Sequence, residues 1–183
     1  CIRDSASRAI LEMPQTQNKL LDAIQKTGKP IVMVLFTGRP LALQSEEKQV
    51  NAILNVWFGG TEAGAAIADV LTGKVSPTGK LTMSFPRVTG QCPIYYNHKM
   101  TGRPMSPDAW YTRYVSNYID VLNEPLYPFG YGLSYTTYTY GDVSLNMNSM
   151  DANGKIQASV IVTNTGAQDG DCLLYTSPSP RDR

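Results

Sequence analysis

Histidine is almost missing from this chain: His98 is the single example in 183 residues. Ser-His-Asp and Cys-His relays, which need an imidazole beside the nucleophile, cannot be assembled from so little. Cysteine is nearly as scarce, at Cys1, Cys92 and Cys172. Only Cys92 lies away from the ends, where one thiol cannot form an internal disulfide and has no His or Cys neighbour at zinc-ligand spacing. The longest strongly apolar run, residues 30–36, is far short of the roughly 20 residues that cross a bilayer. No signal-peptide series opens the chain, so any export signal would be encoded outside it. Charge is sparse and balanced, with 17% charged residues, a net charge of +1 and sixteen scattered Lys and Arg. That excludes the basic footprint needed for nucleic acid or an anionic membrane. Gly38-Arg39-Pro40, Gly59-Gly60 and Gly102-Arg103-Pro104 contain no phosphate-cradling series and read as turns and domain-contact loops.

What the chain does contain is ordinary globular composition, 42% hydrophobic, and enough length for one domain and part of a second. Residues 14–26 carry Leu20, Leu21, Ala23 and Ile24 among polar neighbours and stop at Thr27-Gly28, an amphipathic helix closed by glycine. Residues 31–36 form an apolar, β-branched run of strand length, the pattern of a strand covered on both faces in a parallel sheet. The sequence allows a short strand at 41–43, then predicts a short helical stretch at 46–50 and a second buried strand at 52–58. Thr61 can cap a helix whose apolar positions Ala63, Ile67, Val70 and Leu71 recur at helical spacing, with Gly73 closing it. Leu81, Met83 and Phe85 then alternate with Thr82 and Ser84 as a half-covered strand. The alternation of helix and strand argues an α/β fold, here a layered α/β/α sandwich with a mostly parallel sheet.

From residue 87 to 132 periodicity disappears, and Pro, Gly, Tyr and Asn make an arm too long for a simple connector. Six of the eleven tyrosines lie in it, at Tyr95, Tyr96, Tyr111, Tyr114, Tyr118 and Tyr127. Their rings suit sugar faces and interdomain contacts alike, with packing the better reading. Beyond Leu133 strict alternation returns: Val143, Leu145 and Met147 share one face, Asn153-Gly154 turns, and Ile156, Ala158, Val160 and Val162 share the next. A β-sandwich begins there with two or three of the seven or so strands such a fold requires.

Both ends read as foreign. Codons permitted for CIRDS at residues 1–5 and for CLLYTS at 172–177 include strings that are one oligonucleotide read on opposite strands. This resembles a transposon adapter, and the Pro- and Ser-rich end at 178–183 looks like more of it. The domain expectation is therefore an adapter-like extension at 1–5, an α/β sandwich domain at 6–132 with its arm at 87–132, a partial β-sandwich domain at 133–171, and an adapter-like disordered tail at 172–183.

Four blocks, KPIVMVLFTGRPLAL (29–43), AILNVWFGGTEAGAAIADVLTGKVSPTGKLTMSFP (52–86), GQCPIYYNHKMTGRP (90–104) and PLYPFGYGLSYTTY (125–138), resemble consecutive blocks of a family 3 glycoside hydrolase, in matching order and spacing. The resemblance implies a parent with a (β/α)8 barrel, then the α/β sandwich domain, then a fibronectin type III-like domain. It implies a retaining, exo-acting β-glucosidase without cofactor, acting on β-glucosides or oligosaccharides in the periplasm or outside the cell. A β-xylosidase or broader β-glycosidase of the same family is the first alternative, and a non-catalytic carbohydrate-binding or structural module the second. Retention needs two carboxyl groups, one attacking the anomeric carbon and one protonating the departing oxygen. The family nucleophile is an aspartate on the barrel, which is missing from this chain. The family acid/base, a glutamate four residues before an Arg, falls here on Asp4 of Arg3-Asp4-Ser5-Ala6-Ser7-Arg8, within the adapter-like end and one methylene short. The chain alone is expected to be inert.

Among the remaining candidates, Glu46, Glu47 and Glu62 lie near helix starts, where they meet the positive end of the helix dipole. His98 is expected to make a loop hydrogen bond. Trp57 sits in a buried strand pattern and reads as core, whereas Trp110, in the arm between Asp108 and Tyr111, is the candidate to face the substrate cleft or its rim.

Overall fold

Pro14 supplies both the start and the first acceptor of helix α1 (Gln15–Gln25): its carbonyl takes the amides of Gln17 and Asn18, and no side chain caps the end. These and all following features come from a computed structural model that describes residues 8–99, 102–105 and 112–170. Leu21 carries the buried stripe of α1, whereas Leu20 and Ile24 stay exposed. Gly28 closes the helix at φ +66, a left-handed conformation that glycine takes without a Cβ clash.

The chain then enters β1 (Val32–Leu35), which pairs in parallel with β2 (Ala52–Asn55), Val32 opposite Ala52 and Leu35 opposite Asn55. The crossover between them contains a 3₁₀ turn at Glu47–Gln49 and no strand at 41–43. Leu41 and Leu43 instead join the core directly, with Leu43 1% exposed, so their apolar character serves packing rather than pairing. The second strand is shorter than its apolar run because Trp57 adopts φ +48, which no extended strand can continue. Helix α2 (Ala63–Leu71) follows. Its entry is closed by the Ala63 amide on the Gly60 carbonyl, and the Thr61 hydroxyl makes no cap bond among the described residues. Its exit is closed by Gly73 at φ +76 and by the Thr72 hydroxyl, which donates to the Ala68 carbonyl at 2.8 Å.

The chain divides into two compact units, one comprising residues 1–64 and 80–131, the other 65–79 and 132–183. In the first, Leu35, Leu43 and Phe85 form the core, with Met13, Met33, Ile53, Trp57, Leu126 and Tyr127 packed against it. Residues 81–85 do not form the expected strand. A single bridge, Phe85 opposite Tyr127, and main-chain bonds from Leu81 to Tyr131 and from Gly130 back to Leu81 tie this segment to residues 126–131. The alternation fails because Ser84 is buried, with its hydroxyl accepting the Phe129 amide, while Met83 is turned out. The arm contains one 3₁₀ turn, Thr89–Gln91, and otherwise irregular chain among its described residues.

In the second unit β3 (Tyr138–Tyr140) pairs antiparallel with β6 (Val162–Asn164), and β4 (Ser144–Leu145) with β5 (Ala158–Ser159). The expected turn is present, the Gly154 amide donating to the Asp151 carbonyl. Tyr135 ties this unit's segments together: its hydroxyl donates to the Val70 carbonyl at 2.9 Å and its amide to the Ser76 hydroxyl at 3.0 Å. Among the described residues no helix is long and apolar enough to cross a membrane.

Candidate functional site

Parallel strands leave their carboxyl ends as the natural place for a site, because the loops that follow them open outward there and carry side chains free of ladder constraints. At the end of β1 come Phe36, Thr37, Gly38 and Arg39, and at the end of β2 come Trp57, Phe58 and Gly59. The two loops touch. A Cβ built on Gly38 would lie 2.6 Å from the Phe58 ring, so the absence of a side chain permits the close approach. The Thr37 hydroxyl donates to Asn55 Oδ1 at 3.0 Å, while Asn55 Nδ2 is buried without a partner.

Arg39 reaches from the β1 loop to the other end of the unit's sequence. Its guanidinium Nη1 donates to the main-chain carbonyl of Arg8. The same segment is held twice more: the Ala42 amide donates to the Leu11 carbonyl at 3.0 Å, and the Leu11 amide to the Thr89 hydroxyl at 3.3 Å. Thr89 opens the 3₁₀ turn, which is fixed by Gln91, 3% exposed. Gln91 Oε1 accepts the Arg87 and Val88 amides, and its Nε2 donates to the Leu122 carbonyl at 2.7 Å and the Glu124 carbonyl at 3.3 Å. Arg87 Nε also donates to the Glu124 carbonyl, at 3.1 Å. A cleft of about 350 Å³ opens beside this network, lined among others by Glu12, Gln44, Ser45, Lys48 and Arg87.

The residues singled out from the sequence distribute unevenly. Asp4 and Trp110 lie outside the described residues. His98 makes the loop contact expected of it, its Nδ1 3.2 Å from the Tyr95 carbonyl. Trp57 packs at the core edge, 5.8 Å from Phe85 between ring centroids. Glu46 is fully buried, taking a hydrogen bond from the adjacent Ser45 hydroxyl at 2.7 Å, whereas Glu47 and Glu62 are exposed. Cys92 is free and precedes a cis peptide bond to Pro93. Among the arm tyrosines packing prevails where rings meet: Tyr96 stacks on Phe129 at 4.5 Å, and Tyr127 meets Phe85 at 6.2 Å and Tyr131 at 5.1 Å. The Tyr127 phenol is pushed up to about 12, first by burial, then by the nearby Glu47 and Tyr131. Tyr114 and Tyr118 remain exposed. Among the described residues no group of three His, Cys, Asp or Glu could hold a metal ion. Arg39, Thr89 and Gln91 had drawn no catalytic or binding reading from the sequence, Arg39 counting only as part of a turn or domain-contact loop.

A parallel strand pair with helices and anchored loops at its strand carboxyl ends, followed by antiparallel strands, defines an α/β domain. The family model described as the glycosyl hydrolase family 3 C-terminal domain matches residues 2–135. This chain belongs to that family. It is 54% identical over 171 residues to a protein of Salmonella typhimurium named periplasmic beta-glucosidase, covering 93% of the chain and 22% of that protein. It is 45% identical over 168 residues to a beta-xylosidase of Formosa agariphila, covering 92% of the chain and 22% of the relative. The crystal structure of beta-glucosidase from Listeria innocua in complex with isofagomine superposes with a TM-score of 0.81 at 45% identity, over 86% of this chain and 22% of that one. The chain thus spans about a fifth of the length of these relatives.

Proposed function

We propose that this chain is the α/β part of a retaining, exo-acting β-glucosidase that removes terminal non-reducing β-D-glucosyl residues, and that it hydrolyses nothing by itself. The observation that carries this reading is the 54% identity, over nearly the whole chain, to a relative named periplasmic beta-glucosidase. That name also supports a periplasmic or secreted location for the parent. In the parent, a (β/α)8 barrel supplies the nucleophilic aspartate, residues 6–132 form a layered α/β/α sandwich around a mostly parallel sheet, and residues 133–171 begin a fibronectin type III-like sandwich. Position 4 is the acid/base position, glutamate in the parent, and Trp110 lies at the rim of the substrate cleft.

The chemistry explains the expected inertness. Displacement at the anomeric carbon with retention proceeds through a covalent glycosyl intermediate, which needs one carboxylate as nucleophile and a second carboxyl about 5–5.5 Å away as acid and then base. Taking away the nucleophile removes the first bond-forming step whatever the rest of the site retains. The β-xylosidase reading rests on the Formosa agariphila relative at 45% identity, and differs by the room left for the substrate C6 group. The purified chain incubated with p-nitrophenyl β-glucoside should release no phenol, and the full-length enzyme should release it faster than from the β-xyloside. Turnover by the 183-residue chain that survives repurification would overturn the first statement, and a full-length preference for xyloside the second.

A further inference from the structure

We infer that Asn153 is a self-modifying site: the Gly154 amide nitrogen attacks its side-chain carboxamide, and position 153 ages to aspartate and isoaspartate. The chemistry is local to the second unit and does not depend on what the parent hydrolyses.

Three observations select this residue. Asn153 is exposed in the turn between β4 and β5, and its side chain makes no hydrogen bond among the described residues. Most other asparagines are held: the carboxamides of Asn51, Asn55, Asn123, Asn146 and Asn164 each accept a hydrogen bond, Asn117 donates one, and Asn18 buries its oxygen. Asn97 and Asn148 are as free as Asn153, but they precede His98 and Ser149, whose side chains crowd the amide that must attack. Gly154 presents its amide bare. Nor is that glycine replaceable within the turn. A Cβ there would lie 3.0 Å from Met150 Cβ and 3.2 Å from the Asp151 carbonyl oxygen, so the turn that requires glycine also exposes the preceding asparagine to it.

The reaction needs no reactant but water. The Gly154 nitrogen gives its proton to solvent base and bonds to Asn153 Cγ, the carboxamide nitrogen leaves as ammonia, and a five-membered succinimide closes. Water then opens the ring at either carbonyl. Attack at Cγ returns an ordinary aspartate, whereas attack at the main-chain carbonyl leaves isoaspartate, whose main chain runs through the side chain and is one methylene longer. Either product adds a negative charge to the connection between β4 and β5. One contact opposes the first step: the Gly154 amide donates to the Asp151 carbonyl at 2.9 Å and must release it. In an exposed turn that bond slows the reaction by about 10-fold at most. The flanking strands are two residues each and exposed, so local opening is easy.

The test incubates the 183-residue chain at mildly alkaline pH, both in native buffer and in urea, and follows its proteolytic peptides by mass spectrometry. The peptide containing Asn153 should gain one mass unit in native buffer at a rate within about 10-fold of that in urea, since one exposed hydrogen bond is all that restrains it. Fragment masses should place the gain at 153 before any appears at 97 or 148, and the product should accept a methyl group from an isoaspartate methyltransferase. In Asn153→Gln the ring would have six members and closes far more slowly, so the gain should vanish. Conversion in urea alone would mean that the turn protects Asn153, and earlier conversion at Asn97 or Asn148 would mean that glycine does not decide. Aspartate without isoaspartate would mean direct hydrolysis, and no conversion in either solvent would mean no reaction at all; each of these results overturns the inference.

Discussion

Replacing Gln91 by Leu keeps the volume nearly constant and removes the side-chain amide that joins residues 87–92 to residues 122–124, leaving the Arg87 Nε bond to the Glu124 carbonyl in place. Four main-chain groups lose a partner: the Arg87 and Val88 amides and the Leu122 and Glu124 carbonyls. The Glu124 carbonyl keeps Arg87 Nε and the Val88 amide bond is long at 3.4 Å, so the Arg87 amide and the Leu122 carbonyl carry most of the loss. A buried group stripped of its partner costs about 1–3 kcal/mol, and because the bonded atoms are only partly buried the lower half of that range applies to each. Two strong losses and two weak ones, offset in part by the better burial of Leu, give a net destabilisation of about 2–4 kcal/mol. At 1.4 kcal/mol per factor of ten, that is roughly a 30- to 700-fold loss of amide protection in peptides covering 87–92 and 121–127. Hydrogen exchange read by mass spectrometry on the 183-residue chain measures it directly, and the β1–β2 peptides serve as the internal control. A loss under about 3-fold in the arm peptides, or an equal loss in the β1–β2 pair, would refute the reasoning, since the first denies the bonds and the second denies that they act locally.

Phe85→Ala should cost about 3–5 kcal/mol, a large part of any single domain's stability, because Phe85 is 2% exposed and touches both Trp57 and Tyr127; a change under 1 kcal/mol in urea unfolding followed by tryptophan fluorescence would contradict it. Gly166→Ala would put a Cβ 2.1 Å from the Thr136 hydroxyl and 2.8 Å from the Thr137 amide nitrogen, where main chain cannot retreat, so protection should fall at residues 138–140 and 162–165 and hold in the first unit. Tyr127 bears on alkaline stability: with its folded value near 12 against an ordinary 10.0, the unfolded chain releases the proton first. Its contribution is therefore complete below pH 10 and is lost as pH rises from there to about 12, and Tyr127→Phe should flatten that part of the stability profile.

Local patterns were legible where the partner was local. The helix at 15–25 follows from apolar spacing closed by Gly28, and the strand at 32–35 from a β-branched run bounded by Pro30 and Gly38. The second strand was overextended because nothing in the run 52–58 announces that Trp57 turns to positive φ, where its ring packs against Phe85. At 81–85 the alternation of Leu81, Met83 and Phe85 was real, but Ser84 found a buried amide at Phe129, and one inward hydroxyl was enough to break the expected faces. Beyond residue 140 strands form within the alternating stretches, but they are only two or three residues long and their residues are exposed.

Arg39, Thr89 and Gln91 escaped for a different reason. A capping box or an i,i+4 pair writes its partner into a fixed offset, whereas a side chain that serves a main-chain group 31 or 78 residues away leaves no period to read. The available signal was indirect: polar residues inside turn sequences, Gly38-Arg39-Pro40 and Thr89-Gly90-Gln91, where the backbone cannot satisfy itself in a ladder and a nearby side chain must. Irregular chain that must hold a fixed shape needs such donors and acceptors in place of secondary structure, and the stretch from Arg8 to Met13 is irregular chain of this kind. Its shape is therefore set by partners distant in sequence, the β1 loop and the arm, and not by any local pattern.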